Sequence, residues 1–136
     1  MGVDASEPSK EALRWAAAQA ELTGSELEVV MSWDTPTTAY WAPLPESWNL
    51  EEATSAALDE TVRETLGDSQ RIQVTTTVVK GRAAPVLLER AHDAELLVVG
   101  SRGHGGFTGL LIGSVSGYCV AHAQCPVVVV HPPPQR

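Results

Sequence analysis

The chain has 136 residues, of which 43% are hydrophobic and 19% are charged, and its formal net charge at pH 7 is −8. This length favours one domain, spanning residues 1–136, with a hydrophobic core of its own. The acidic excess argues against a broad nucleic-acid-binding surface, which needs clustered basic residues. The longest apolar stretches, such as Val127–Val130, are too short to span a bilayer, and no secretory signal is recognisable. We therefore expect a cytoplasmic protein without a nucleic-acid or membrane partner.

Strand and helix patterns alternate along the chain. Ser6 and Pro8 are typical of a helix entry, because a hydroxyl caps the first turn and proline fixes φ there. Prolines and tryptophans between Asp34 and Trp48 favour a surface loop. The predicted strands cover residues 1–4, 27–33, 72–79, 96–99 and 127–130, and the predicted helices cover residues 9–22, 50–66, 83–92 and 114–123.

This order predicts an α/β protein, a three-layer sandwich in which helices cover both faces of a five-stranded parallel sheet. Ligands of such sheets bind beyond the carboxyl ends of the strands, near the point where the strand order reverses. Asp4, Ser32 and Gly100 each lie at or just after a predicted strand end. We therefore expect these three residues to converge on one crevice.

The most informative stretch runs from Val98 to Ser116, where a buried strand leads into a glycine-rich loop and then a helix start at Gly113. Glycine lets the backbone approach a ligand closely, and a helix N-terminus suits phosphate. The stretch therefore predicts a bound nucleotide or another phosphorylated ligand. The alternative is a flexible loop whose glycines only allow the chain to turn.

The spacing of this stretch is Gly-x2-Gly-x9-Gly-Ser, starting at Gly100 and ending at Ser114. It differs from a dinucleotide fingerprint, whose glycines cluster at the strand–helix turn. It also lacks the lysine of a Walker loop, since the chain's only lysines are Lys10 and Lys80.

With these residues the chain resembles the universal stress proteins, specifically their ATP-binding branch. The resemblance covers nearly the whole chain and is carried by residues 2–6, by residues 100–116 and by the segment that starts at Cys125-Pro126. Every fixed position of the family's glycine signature is matched. Only three residues precede Asp4, so we expect an unusually short or trimmed first strand and a weakened core.

The resemblance implies a Rossmann-like fold of the adenine nucleotide alpha hydrolase type, with strand order 3-2-1-4-5. It also implies an ATP, with or without Mg²⁺, between the first and fourth strand ends, and a homodimer formed through Val127–Val130. By the same resemblance, Asp4 and Ser32 contact the adenosine half. The ribose and phosphates are lined by Gly100, Arg102, Gly103 and Gly106, and the phosphates meet N–H and hydroxyl groups of Gly113, Ser114, Val115 and Ser116.

Each assignment has a plainer alternative. Asp4 could cap the first helix or the strand-end turn, and Ser114 could be only a helix cap. Arg102 and His104 could be solvated loop residues. The tryptophans at positions 33, 41 and 48 favour packing over adenine stacking.

Three functions remain open at this point. The first is an ATP-binding regulator or sensor of the stress response, and a cyclic nucleotide could replace ATP. The second is a slow ATPase or an autophosphorylating protein. Because the glycine stretch offers only Arg102 and His104 as cationic groups, with no lysine or carboxylate, we name no catalytic residue and expect weak turnover at most. The third is a nucleotide-independent, chaperone-like interaction module.

Cysteines and histidines predict no further chemistry. Cys119 and Cys125 match no usual zinc or redox spacing, and we expect small buried thiols in a reducing compartment. The four histidines lack the paired spacing of metal ligands, so we predict no metal site.

Overall fold

The computed structural model describes residues 1–35, 41–42, 44–45, 48–68, 71–102 and 112–133. Within these residues, helices and strands alternate in the predicted order. The elements are α1 (Glu7–Thr23), β1 (Leu27–Trp33), α2 (Leu50–Leu66), β2 (Val74–Lys80), α3 (Ala83–Arg90), β3 (Leu97–Gly100), α4 (Ser114–His122) and β4 (Val127–Val130).

The ends of most elements follow from local signals. Ser6 caps α1 by accepting a hydrogen bond from the Ser9 N–H, as predicted, and Gly24 ends the helix with a φ of 68°. Asn49 caps α2 in the same way through the Glu52 N–H. These caps explain why the predicted bounds of α1 and α2 agree with the structure to within two residues.

The strand pairing differs from the prediction of one five-stranded sheet. The described residues form two parallel two-stranded sheets, β1 with β2 and β3 with β4. Leu27 pairs with Val74 in the first sheet, and Leu97 pairs with Val127 in the second. Between the two sheets, residues 1–3 make one isolated parallel bridge, between Gly2 and Val30, and no strand of their own.

Residues 1–3 nevertheless bond to both sheets. The Val30 N–H donates to the Met1 carbonyl at 2.8 Å, and the Val3 N–H donates to the Val30 carbonyl at 2.9 Å. On the other side, the Gly2 N–H donates to the Val98 carbonyl at 3.3 Å. The segment therefore lies between β1 and β3.

Two hydrophobic clusters lie on opposite faces of these strands. The first cluster is built mainly by α1 and α2 against β1, with Leu13, Val29 and Leu58 fully buried. The second is built by α3 and α4 against β3, with Cys119 fully buried. Helices therefore cover both faces of the strands, as the alternating sequence pattern predicts.

Candidate functional site

The predicted site residues gather at the carboxyl ends of β1 and β3. Ser32 is the last residue but one of β1, and Gly100 ends β3. Gly2 pairs with Val30, and in a parallel pair both chains advance together, so Asp4 reaches the level of Ser32. The three residues that were expected to converge therefore lie at the same edge.

A tight turn fixes Asp4 at this edge. Its carboxylate accepts a hydrogen bond from the Ser6 N–H at 3.0 Å and another from the Ser6 hydroxyl. Its own N–H donates to the Ser9 hydroxyl at 3.3 Å. Between them, Ala5 adopts a φ of 67°, a left-handed conformation that costs a residue with a Cβ about 1–2 kcal/mol. The turn therefore positions the Asp4 carboxylate beside the start of α1, and the carboxylate helps to close the turn.

Gly100 lets β3 end directly against the start of α1. A Cβ at this position would lie 3.0 Å from the Pro8 carbonyl oxygen and 3.3 Å from the Ser9 nitrogen. Backbone atoms of a helix cannot give way as a flexible side chain can, so a larger residue would push β3 away from α1. This contact ties the end of β3 to the helix that follows Asp4.

The start of α4 is bonded to the end of β3. The Gly113 N–H and the Ser116 hydroxyl both donate to the Ser101 carbonyl, the hydroxyl at 3.0 Å. A Cβ at Gly113 would lie 3.3 Å from the same carbonyl oxygen. The chain therefore returns to the end of β3 at the glycine that precedes α4, which fixes where this helix begins.

The first turn of α4 presents backbone donors at this edge. Gly113 is the N-cap residue and makes no side-chain cap, so the alternative role of Ser114 as the helix cap is wrong. Helix geometry leaves the N–H groups of Ser114, Val115 and Ser116 without partners inside the helix. Ser114 is exposed and Val115 is half-buried, whereas Ser116 is buried with its hydroxyl directed to the protein backbone.

Sequence reasoning missed Ser101. Its side chain is fully buried, and its hydroxyl has no hydrogen-bond partner among the residues that the structure describes. A buried hydroxyl without a hydrogen-bond partner lowers the stability of the fold by about 1–3 kcal/mol. Ser101 therefore lies beneath the start of α4 at the expense of stability. No spacing in the sequence marks it, because its burial depends on the return of the chain at Gly113.

Cationic groups flank the same edge. Arg102 follows the end of β3 and is half-buried. Lys80 ends β2, and its Nζ lies 5.4 Å from the centre of the Trp33 ring, a cation–π contact at the end of β1. Trp33 therefore packs against a neighbouring lysine, and neither residue was among the predicted ligand contacts.

Two predicted site residues, Gly103 and Gly106, lie outside the described residues, as does His104. In the parts of the chain that the structure describes, no group of three histidine, cysteine or acidic side chains could hold a metal ion. No helix in those parts is long and apolar enough to cross a membrane.

The family model described as the Universal stress protein family matches residues 1–131, so the chain belongs to that family. A universal stress protein of Mycobacterium tuberculosis (strain H37Rv) is 35% identical over 139 residues, covering 96% of this chain and 46% of that protein. The chain thus spans about half the length of the curated relatives it matches.

Solved structures share the α/β fold. A universal stress protein in complex with cAMP superposes with a TM-score of 0.69 and 25% identity, covering 96% of this chain and 93% of that one. The universal stress protein of Archaeoglobus fulgidus in complex with dAMP superposes with a TM-score of 0.59, covering 95% and 93% of the two chains. The second is 20% identical, so that likeness establishes the fold alone.

Proposed function

We propose that this chain binds an adenine nucleotide, with ATP as its ligand, at the carboxyl edge of β1 and β3. The observation that carries the proposal is the first turn of α4, which the Gly113–Ser101 hydrogen bond holds at the end of β3. Free N–H groups and the positive end of the helix dipole favour phosphate at such a turn. The relatives solved with cAMP and dAMP support an adenine nucleotide as the ligand.

In this proposal, different parts of the site contact different parts of the nucleotide. The phosphates would lie against the N–H groups of residues 114–116, because the Gly113 N–H already donates to the Ser101 carbonyl. Arg102 and the glycines at 103 and 106 would lie beside them. The adenosine half would extend past Gly100 toward Asp4 and Ser32, where a carboxylate and a hydroxyl can accept hydrogen bonds from it. A Mg²⁺ ion would reduce the repulsion between the phosphates and an acidic chain of net charge −8.

We further propose that the bound nucleotide regulates a stress response through a homodimer paired along β4. In each copy, the first segment would join the two sheets into one continuous five-stranded sheet, of order 3-2-1-4-5 when that segment is counted as strand 1. A ligand shifts such an equilibrium only if it prefers one of the two states. ATP would therefore have to bind the dimer and the monomer with different affinities. A cytoplasmic location fits a ligand that is supplied inside the cell.

Ser114→Asp tests the phosphate position. The new carboxylate stands in the first turn of α4, where it favours the helix by about 0.3–1 kcal/mol. The same charge repels a phosphate by on the order of 1–4 kcal/mol at contact distance. We therefore expect ATP affinity to fall about tenfold or more while the free energy of unfolding stays level or rises, as measured by calorimetric titration and denaturant unfolding.

Ser114→Ala is the matched control, because it removes the hydroxyl and adds no charge. It should bind ATP within a few-fold of the parent chain. Equal ATP affinity in the Asp variant and the parent would contradict the proposed phosphate position. If the folded parent bound no adenine nucleotide at all, the interaction-module function would remain, and ADP release during the titration would indicate the slow ATPase.

A further inference from the structure

Two buried hydroxyl groups in the described part of the chain have no hydrogen-bond partner, those of Ser101 and Thr65. Each lowers the stability of the fold, because the hydroxyl has left water without a replacement for it. Thr65 lies in the last turn of α2, just before the chain enters β2 at the opposite edge. Ser101 follows β3 at the carboxyl edge, where the proposed nucleotide site lies. A cost of this kind persists at a binding site when the ligand supplies the partner that the free protein lacks.

The side chain of Ser101 points to the face of the strands that α4 covers. The ladder between β3 and β4 continues one residue past β3, because the Ser101 N–H donates to the Val130 carbonyl at 2.9 Å. Side chains alternate between the two faces of a strand, and Val99 packs in the cluster formed with α3 and α4. Ser101, two residues further on, therefore points to the same face, and no part of it is exposed.

The first turn of α4 covers this hydroxyl. The Gly113 N–H and the Ser116 hydroxyl both donate to the Ser101 carbonyl. A Cβ at Gly113 would lie 3.3 Å from that carbonyl oxygen and 3.4 Å from the Cα of Arg102. The turn is therefore held at one carbonyl, over the hydroxyl of the same residue.

The groups around the Ser101 hydroxyl favour an anionic oxygen as its partner. The hydroxyl can donate a hydrogen bond, and the N–H groups at the start of α4 are donors as well. Arg102, the next residue in the chain, is half-buried and adds a positive charge. A phosphate accepts several such hydrogen bonds at once, and it is favoured at a helix N-terminus.

We propose that the Ser101 hydroxyl donates a hydrogen bond to a phosphate oxygen of the bound nucleotide. This makes Ser101 a binding residue at a position that the glycine signature leaves open, and the inference rests on the proposed function. Because the first turn of α4 covers the hydroxyl, α4 tilts about the Ser101 carbonyl as the phosphate enters. The new hydrogen bond offsets the tilt, since a bond to a charged oxygen is about twice as strong as a neutral one.

Ser101→Ala tests the proposal through two effects of opposite sign. Removing this buried hydroxyl should raise the folding equilibrium constant about tenfold, as measured by urea unfolding. Removing its hydrogen bond to phosphate should lower the affinity for ATP about tenfold, as measured by calorimetric titration in the presence of Mg²⁺. A substitution that only damaged the site would lower both quantities, so the opposite signs identify a ligand contact.

Thr65→Val is the matched control, because it removes the comparable hydroxyl at the opposite edge. It should raise stability to a similar extent and leave the affinity for ATP unchanged. Ser116→Ala removes a hydroxyl that donates to the Ser101 and Gly113 carbonyls, so it should lower stability.

Phosphorus-31 NMR at saturating ATP tests whether the contact is made to phosphate. At least one resonance of bound ATP should differ between the parent and Ser101→Ala and should be unchanged in Thr65→Val. Equal ATP affinity in the parent and Ser101→Ala, no gain in stability in Ser101→Ala, or identical phosphorus spectra would each overturn the role of Ser101 and leave the proposed function standing. A folded parent that bound no adenine nucleotide would overturn both.

Discussion

At the scale of single residues, the amino group of Met1 lies in an environment that shifts its pKa. It is buried between β1 and β3, and burial lowers its pKa from 8.0 to about 6 despite the attraction of the Glu28 carboxylate. The folded chain therefore binds fewer protons than the unfolded chain between about pH 6 and pH 8. Unfolding free energy should rise with pH across this window, because the charged form is disfavoured only in the fold.

The size of this effect is measurable. A pKa difference between 8.0 and about 6 corresponds to an upper bound of about 3 kcal/mol. We expect urea unfolding of the 136-residue chain to show most of this gain between pH 6 and pH 8. An Nα-acetylated chain cannot titrate there and should lack that component. The same pH dependence in both chains would contradict the burial of the amine.

Glu28 is the second residue whose ionisation depends on the fold. Its carboxylate accepts hydrogen bonds from the Arg90 guanidinium and the Thr77 hydroxyl, and these lower the pKa of the carboxyl. Its side chain is about a third exposed, so solvent weakens the contribution of the ion pair to stability. The pair joins the end of α3 to the start of β1.

At the scale of elements, the sequence predicts the bounds of those helices and strands whose ends are set by nearby residues. The predicted bounds of β1, α2 and β4 match the structure, because glycine, asparagine and proline at their ends act within one turn. β3 is shifted by one residue from the prediction. It includes Gly100 because the Ser101 N–H bonds to the Val130 carbonyl across the sheet, a contact that one segment alone cannot reveal.

The candidate site likewise has parts that the sequence predicts and parts that depend on distant contacts. The helix start at Gly113 and Ser114 can be predicted from the spacing of the glycine signature. The carbonyl of Ser101, which receives both Gly113 and Ser116, cannot be predicted, because these partners are twelve and fifteen residues away in the sequence. The split of the expected sheet likewise depends on how few hydrogen bonds residues 1–3 make.

The two glycines around the first turn of α4 should respond differently to alanine. At Gly117 the new Cβ would lie 3.5 Å from Ile112, an ordinary contact, and alanine favours a helix over glycine by about 0.5–1 kcal/mol. We expect Gly117→Ala to raise the free energy of unfolding by that amount. Gly113→Ala is the control and should give no gain, since its Cβ would crowd the Ser101 carbonyl. A loss of stability in Gly117→Ala would contradict the position of α4.

At the scale of the whole molecule, β4 bonds to β3 on one side, and its other side has no strand partner among the residues that the structure describes. Its register directs the carbonyls of Pro126 and Val130 to β3, so the N–H of Val129 points to the outer side. An unpaired strand edge is a template for pairing with another chain. The proposed homodimer would use this edge.

Val129→Pro therefore separates dimerisation from folding. It removes an outward N–H and leaves the hydrogen bonds to β3 intact, whereas Val128→Pro would break that ladder. We expect sedimentation equilibrium to show at least about tenfold weaker self-association for Val129→Pro, with the circular dichroism spectrum retained. An unchanged dimer fraction in this variant would place the interface elsewhere.

An amide-resolved NMR titration of the 136-residue chain with ATP and Mg²⁺ is the most direct test of ATP binding at the carboxyl edge. We expect saturable shifts that cluster at residues 113–116, at Gly100 and at Asp4, with Glu28 and Val98 at the opposite edge unaffected. Saturable shifts that cluster at Glu28 and Val98, or no saturable shifts in the folded chain, would contradict it.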